Sequence, residues 1–368
     1  MLAAFDWDHG AVRASAAVSE RSAAVVQDYV FVPAVSVDAK LLLAFDAIVQ
    51  PARQASDRIL ASWWRRATPE CAVAAIHTPS GAMVGICAGR PSTWIFPSGS
   101  VPAIAICSWF VDPAHFGKGI GKRLVKQLSA PGRFLYTFVI SEAAIANFQR
   151  LGWVGPYVAP MLARPLPGLL ALSSLRDAGI ELRDHAVNGR DIPATLGAAL
   201  DRIERNRAVE SRIHMRRDAQ ELSWRLSLSS ERQYRFTVAS RASEPVGYVA
   251  VRRATPGTNR IMDLLRAAIV TDLVAIDDEA AVLRSLASSV VASAGHLRAM
   301  TALATTTVPA QQKALSAAGF LSSHVPLLGT LLASRSPRFM WAPEGPAERL
   351  TAEGIALTFS DSDADFNL

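Results

Sequence analysis

The chain reads as an α/β protein of two tandem lobes, each a sheet flanked by helices. Three observations predict this. Residues 103–128 (AIAICSWFVDPAHFGKGIGKRLVKQL) pass from a nearly continuous apolar strand through a glycine-rich turn into an amphipathic helix. Strand-like and helix-like segments succeed one another along both halves. Landmarks of the first half recur about 160 positions later, the mark of a duplicated unit.

Taken in order, residues 1–27 show no sustained period and read as a loose lead-in. Residues 29–35 (YVFVPAV) form a first strand, pushed toward a sheet edge by Pro33. Helices are predicted over 38–49 and 55–66, capped by Asp38 and Ser56; the second ends in Trp63-Trp64-Arg65-Arg66, read as core packing or as a groove wall. Residues 71–77 and 82–88 make a hairpin around Thr78-Pro79-Ser80-Gly81, and 91–102 form a long connection. After the organising strand, loop and helix come a strand over 133–140, a helix over 142–151 and a closing strand over 157–164. Gly152 supplies the left-handed residue that ends that helix.

Within 103–128, Asp112-Pro113 stops the strand, because proline cannot donate to a ladder. Gly117, Gly119 and Gly121 alternate with Lys118, Ile120 and Lys122, then Ile120, Leu124 and Leu128 follow at helical spacing. The turn therefore presents backbone N–H groups at a positive helix end, which suits an anion. A plain packing turn between strand and helix would use the same glycines. A P-loop is excluded, since Phe116 stands five before Gly121 and Arg123 follows Lys122. The dinucleotide fingerprint is excluded because Lys122 occupies its third glycine position.

Val111-Asp112-Pro113 followed by Gly119-Ile120-Gly121 resembles the cofactor loop of the GCN5-related N-acetyltransferase (GNAT) superfamily, with Phe116 where Arg or Gln is usual. The stretch Ala146 to Trp153 (ANFQRLGW) is similar to that family's second recurrent motif. The resemblance covers residues 28–165 and implies a mixed central sheet, acetyl-CoA as co-substrate and an amine acceptor. It implies that Gly117, Lys118, Gly119, Ile120, Gly121 and Lys122 hold the pyrophosphate, with Asn147 a further cofactor contact. It also implies that the N–H of Phe110 or Val111 polarises the thioester carbonyl, and that the amine attacks directly. Phe148 stands where many members carry the tyrosine that protonates the leaving thiolate.

In the second half, Trp224-Arg225 answers Trp64-Arg65, Val246-Gly247 answers Val84-Gly85, Val270-Thr271-Asp272 answers Phe110-Val111-Asp112, and Ala318-Gly319-Phe320 answers Leu151-Gly152-Trp153. Helices over 192–207, 218–226 and 279–294, a hairpin over 234–252 and strands over 267–274 and 297–305 complete this copy. The sequence after Asp272 (LVAIDDEAAVL) has no glycine, and Asp277, Asp278 and Glu279 would repel phosphate there. The organisation is thus lead-in 1–27, CoA-binding lobe 28–165, linker 166–178, degenerate second lobe 179–345 and C-terminal tail 346–368.

A net charge of +6 suits a polyanionic ligand such as CoA or a nucleotide-sugar, while scattered Lys and Arg do not indicate nucleic acid. Cys71, Cys87 and Cys107 lie in apolar strands without metal spacing, as expected of reduced thiols in a cytoplasmic protein. Asp6, Asp8 and His9 interrupt any N-terminal signal, and no apolar run reaches membrane-spanning length. The seven histidines form no i, i+3 or i, i+4 pair, so metal catalysis is not expected. Tyr136 or Tyr157 could replace the missing acid; His77, Glu70 and His115 lie near the right elements to serve as base. Asp361-Ser362-Asp363-Ala364-Asp365 begins like a calcium loop but lacks its glycine and distal glutamate, and reads as a solvated acidic tail. Two function classes remain. One is an acyl-CoA-dependent N-acyltransferase acting on an amine of a small molecule, amino sugar or peptide. The other is a non-catalytic acyl-CoA-binding or scaffold protein.

Overall fold

The computed structural model describes residues 28–49, 70–138, 140, 142–166, 179–188, 191–207, 212–227, 233–254, 266–322, 337–348, 350, 351 and 354–361. In chain order the strands are β1 (Tyr29–Pro33), β2 (Ala72–His77), β3 (Ala82–Phe96), β4 (Gly99–Val111), β5 (Phe134–Phe138), β6 (Val154–Val158), β7 (Met161–Pro165), β8 (Glu181–Asn188), β9 (Ile213–Met215), β10 (Gln233–Arg241), β11 (Glu244–Arg253), β12 (Ala267–Ala275), β13 (Thr301–Thr305), β14 (Leu321–Ser322), β15 (Arg338–Trp341) and β16 (Ile355–Ala356). The helices are α1 (Ala39–Val49), α2 (Ile120–Leu128), α3 (Glu142–Arg150), α4 (Ala194–Arg207), α5 (Ala219–Ser227), α6 (Ala280–His296) and α7 (Pro309–Ala317). The strands fall into two mixed sheets flanked by helices, as the sequence predicts. The expected lead-in, the helix over 55–66 with its Trp-Trp-Arg-Arg cluster, and most of the linker lie outside the described residues.

Two compact units divide the chain, one of Met1–Ile86 with Phe110–Leu124, the other of Cys87–Trp109 with Val125–Leu368. In the first, β1 pairs antiparallel with β2, from Tyr29↔His77 to Pro33↔Val73, and forms the edge on which Pro33 needs no ladder partner. α2 packs there on β3: a Cβ on Gly85 would sit 3.1 Å from Leu124 Cδ1 and 3.2 Å from Ile120 Cγ2, so the bare backbone lets the helix approach closely.

The second unit contains an exchange of strands between the two copies. Its complete sheet runs β14-β7-β13-β12-β11-β10-β8. β12 and β13 are parallel, and β7, which belongs to the first copy by sequence, inserts antiparallel between β13 and β14. In the other sheet, β15 inserts between β5 and β6 in the same way, although it comes from the second copy. Each sheet is therefore completed by the other copy's last strand. Trp94, Phe134, Tyr136, Phe138, Phe339 and Trp341 pack around the β15 insertion. Val249, Val251, Val270, Val282, Leu286 and Val290 form the larger core, under α6.

The duplication holds, with a changed register. α3 and α7 are both nine residues long and start 167 positions apart (309 − 142 = 167). Both end alike, Trp153 N–H donating to Phe148 O at 3.1 Å and Phe320 N–H to Leu315 O at 3.0 Å. The match of Asp272 to Asp112 is corrected. β12 continues past Asp272 to Ala275, so Asp272 stands inside the strand, 1% exposed, whereas Asp112 follows the end of β4. Strand ends Val111 and Ala275 are the true equivalents.

Three further expectations change. Residues 91–102 are no loop: β3 runs on to Phe96 and β4 begins at Gly99, because Trp94 and Phe96 alternate into the core despite the flanking prolines. The closing strand over 157–164 is two strands in different sheets, separated at Pro160, which has no N–H to continue a ladder. The strand expected over 297–305 is shortened to Thr301–Thr305, as α6 carries on to His296.

Asp361 is fully buried and does not open a solvated tail; Asp363 and Asp365 lie outside the described residues. The cause is Arg217, 1% exposed, whose Nε donates to Asp272 Oδ1 at 2.7 Å and whose Nη2 donates to Asp361 Oδ2 at 2.7 Å. Thr358 and Ser360 hydroxyls each donate to Asp272 Oδ1 at 2.8 Å, and Arg217 Nη1 donates to Met215 O at 2.6 Å. Burial alone would raise both carboxyls. Arg217 outweighs it at Asp272, which is held below its ordinary range, while at Asp361 burial, aided by repulsion from Asp272, prevails over Arg217 and keeps the carboxyl raised.

Two outcomes are expected. Arg217→Met leaves two carboxylates buried without their cation and costs about 3–5 kcal/mol, read from urea denaturation of the full chain; a loss below about 1 kcal/mol would contradict this role. A fragment of residues 1–170 lacks β15 and carries β7 without its sheet, so size-exclusion and circular dichroism should find it aggregated or poorly folded. A folded monomer would show that the exchange is dispensable.

Candidate functional site

The glycine loop lies in the first unit. Asp112 N–H donates to Val84 O at 2.9 Å, and the Asp112 carboxylate accepts from Ala114 N–H at 2.9 Å, capping the 3-10 turn Pro113–His115. Gly117 and Gly119 take φ of +77° and +72°, conformations that residues with a Cβ avoid, and among the described residues nothing lies within 4 Å of a Cβ built on either. The loop backbone is thus open to a ligand at both positions. The α2 ladder begins with Arg123 N–H donating to Gly119 O at 3.2 Å, so the N-terminal turn of the helix faces the loop. Lys118, Lys122 and the ring of Phe116, 57% exposed, surround it on the solvent side.

Three rings gather beside this loop. Tyr29 OH and His115 Nδ1 are 3.0 Å apart; the His77 ring meets His115 edge-on at 4.9 Å and lies 5.3 Å from Tyr29. His77 Nδ1 pairs with Ser80 Oγ at 2.8 Å, and Lys118 Nζ lies 5.9 Å from the centre of the Tyr29 ring. Burial first, then the neighbouring Lys118 and His77, lower the His115 pKa against the opposing pull of Asp112. Arg123 covers the Phe31 ring at 4.3 Å. The sequence places His77 and His115 near the loop; the contribution of Tyr29, an edge-strand residue, has no motif to announce it.

In the second unit, β4 and β5 pair in parallel only over Ala103–Ala105, with Thr137 Oγ1 donating to Ile106 O at 3.1 Å, although β4 continues to Val111. Trp109 of β4 meets Phe148 of α3 at 4.7 Å, and Phe148 meets Trp153 at 4.4 Å. Phe148 is a buried packing residue. Asn147 is exposed on α3, its Oδ1 accepting from Arg150 at 3.0 Å. Tyr136 is 1% exposed, with its OH directed at Met215 Sδ (3.6 Å) and Ser92 Oγ (3.4 Å); burial pushes it up to about 12. Tyr157 is 39% exposed, stacked on Trp341 at 5.1 Å, and lines an apolar cleft of about 230 Å³ with Phe339, Ile355 and Leu357. Glu70 is exposed. Cys107 Sγ donates to Ala105 O at 3.0 Å, and burial pushes the Cys87 thiol up.

The second copy fills the corresponding space from within. β12 and β13 pair only as far as Val270↔Ala304. Beyond that, Thr358 bridges to Thr306, Thr307 N–H donates to Leu357 O at 3.2 Å, and Thr358 and Ser360 bond to Asp272. The short turn Ile276–Asp278 replaces the glycine loop; Asp278 pairs with Arg212 and Glu279 with Arg241.

Among the described residues no helix is long and apolar enough to cross a membrane, and no group of three or more His, Cys, Asp or Glu could hold a metal. The sequence profile of the Acetyltransferase (GNAT) family matches residues 41–153, which include the glycine loop and α3. No curated protein matches the chain. Its fold is similar to a GCN5-related N-acetyltransferase from Kribbella flavida (15% identity, TM-score 0.52, covering 85% of this chain and 70% of that one). It is also similar to one from Anabaena variabilis (11%, 0.52, 85% and 72%). Saccharomyces cerevisiae N-myristoyltransferase, solved with bound myristoyl-CoA and inhibitors, shares the fold as well (10%, 0.51, 90% and 86%). The chain thus has two mixed sheets in a fold shared with N-acetyltransferases, and the acetyltransferase (GNAT) family profile matches its first copy, over residues 41–153.

Proposed function

We propose that the chain is an acyl-CoA-dependent N-acyltransferase that uses acetyl-CoA and works through its first lobe. The observation that carries this reading is the glycine loop, open at Gly117 and Gly119 and lying inside the segment matched by the family. Gly117, Lys118, Gly119, Ile120, Gly121 and Lys122 receive the pyrophosphate, through backbone N–H groups and the positive end of α2. The thioester extends along β4 beyond its ladder with β5, where the N–H of Phe110 or Val111 polarises the carbonyl. Asn147 is proposed as a peripheral cofactor contact. The acceptor is an amine of a small molecule, amino sugar or peptide, and the place of action is the cytoplasm. Residues 28–165 and 179–345 are proposed as the two lobes, while the expected tail is corrected over 355–361, which are buried.

The amine attacks the thioester carbon, its proton passing to a base, and the C–S bond breaks to give the amide and CoA thiolate. His77 is the proposed base. Among acids for the thiolate, Tyr157 is favoured over Tyr136 because its ring reaches solvent. Direct transfer needs no tyrosine at 148, since a thiol pKa of about 8.5 makes its anion tolerable in water.

Incubation with acetyl-CoA and a panel of amines should release free thiol with at least one acceptor; no turnover with any, despite binding, would favour a non-catalytic binding protein. Calorimetry should find one CoA site per chain. Gly119→Val should weaken CoA binding by about tenfold or more, by forcing a β-branched residue into a left-handed conformation and placing methyl groups over the open loop. Two equivalent sites would overturn the assignment to one lobe.

Cys107→Ala should keep most thiol release, and Phe148→Tyr should leave the rate within a few fold. Radiolabel from acetyl-CoA trapped on Cys107 in the absence of acceptor would instead establish an acyl-enzyme.

A further inference from the structure

The approach to the glycine loop carries more titratable chemistry than its packing requires. Tyr29 of β1, His77 of β2 and His115 of the 3-10 turn bring their rings together, with centroids 4.9 to 5.8 Å apart. Each imidazole has its Nδ1 against a hydroxyl, Tyr29 OH for His115 and Ser80 Oγ for His77. The orientation of both rings is therefore fixed. The charged and titratable groups acting on His115 are Lys118 and Asp112 from the loop and His77 from β2, with Tyr29 OH on its ring nitrogen. Asp112 is the one carboxylate among them, and it also accepts from Ala114 N–H. Two imidazolium ions beside Lys118 would repel one another in the free chain. A polyanion on the adjoining loop removes that repulsion.

We propose that His115, oriented by Tyr29 and packed against His77, is part of the phosphate-binding surface of the loop, and that acyl-CoA binds with uptake of a proton by His115. The inference rests on the reading of the loop as the CoA site. In the free chain burial, Lys118 and His77 hold His115 below the ordinary imidazole range, so it is neutral at pH 7. Bound phosphates raise its pKa. The contribution of His115 to affinity is then fully present below its free-chain pKa and is lost as pH rises through its bound-state pKa.

The test is calorimetry of the full chain with CoA at pH 6.0, 7.0 and 8.0, each in two buffers of different ionisation enthalpy, which counts the protons taken up. The 3′-phosphate of CoA itself titrates near pH 6, so wild type is compared with His115→Gln and with His77→Gln/His115→Gln, in which the ligand's share is the same. The expected affinity ratio of wild type to double variant is about tenfold at pH 6.0 and under twofold at pH 8.0, with the additional proton uptake lost in the variant. Tyr29→Phe, which keeps the ring and removes the hydroxyl, should give an intermediate ratio. A ratio that does not change with pH would overturn the inference while leaving the CoA site standing. If the variants fail to fold, imidazole NMR titration of the wild-type chain decides: a rise in the His115 midpoint on adding CoA supports the proposal, and an unmoved midpoint overturns it. Absence of CoA binding to wild type at every pH would overturn the reading of the loop itself.

Discussion

An inserted strand needs two neighbours, and in this chain each copy finds one of its strands in the other. β15 sits between β5 and β6, and β7 sits between β13 and β14. Removing either strand would expose the ladder edges of both its neighbours, with their unpaired N–H and C=O groups. The aromatic core around Phe134, Tyr136, Phe339 and Trp341 is likewise shared between first-copy and second-copy residues. Each half thus relies on the other for one strand of its sheet.

The two copies diverge at the ends of their central strands. The first ends its central strand in a loop with two left-handed glycines flanking Lys118, followed by Lys122 and Arg123 in the next turn. The second ends the equivalent strand in a short turn whose acids are paired with Arg212 and Arg241. It also fills the space past the β12–β13 ladder with its own residues 357–361. Backbone pairing and hydroxyl bonds there take the place of anything a ligand could offer.

Much of this was legible in the residues. Gly117 to Lys122 announce themselves because a positive φ has few solutions other than glycine, and Gly152 and Gly319 recur because both helices end the same way. The copies could be aligned from such punctuation. Strand exchange could not, since β7 and β15 are short apolar segments that carry no label for the sheet they join. Asp361 misled for a different reason: three acids near a chain end read as solvated unless the position of Arg217, 144 residues away, is known. The role of Tyr29 at His115 is equally non-local, joining residues 86 positions apart. Local conformational demands are written locally; long-range pairing of charges is not.

The buried Arg217 cluster and the glycine loop solve the same electrostatic problem in opposite ways. Two carboxylates in the second lobe, Asp272 and Asp361, are kept by a guanidinium that is itself inaccessible, with Thr358 and Ser360 filling the remaining lone pairs. Such a closed set leaves little unmet charge for a ligand and gains its worth only through the cost of breaking it. Among the described residues the first lobe leaves Lys118 and Lys122 exposed beside the backbone N–H groups of its glycine loop, with Asp112 the nearby carboxylate. Duplication supplied both lobes with one scaffold; the second has its counter-charges inside the fold, while the first leaves its glycine loop open.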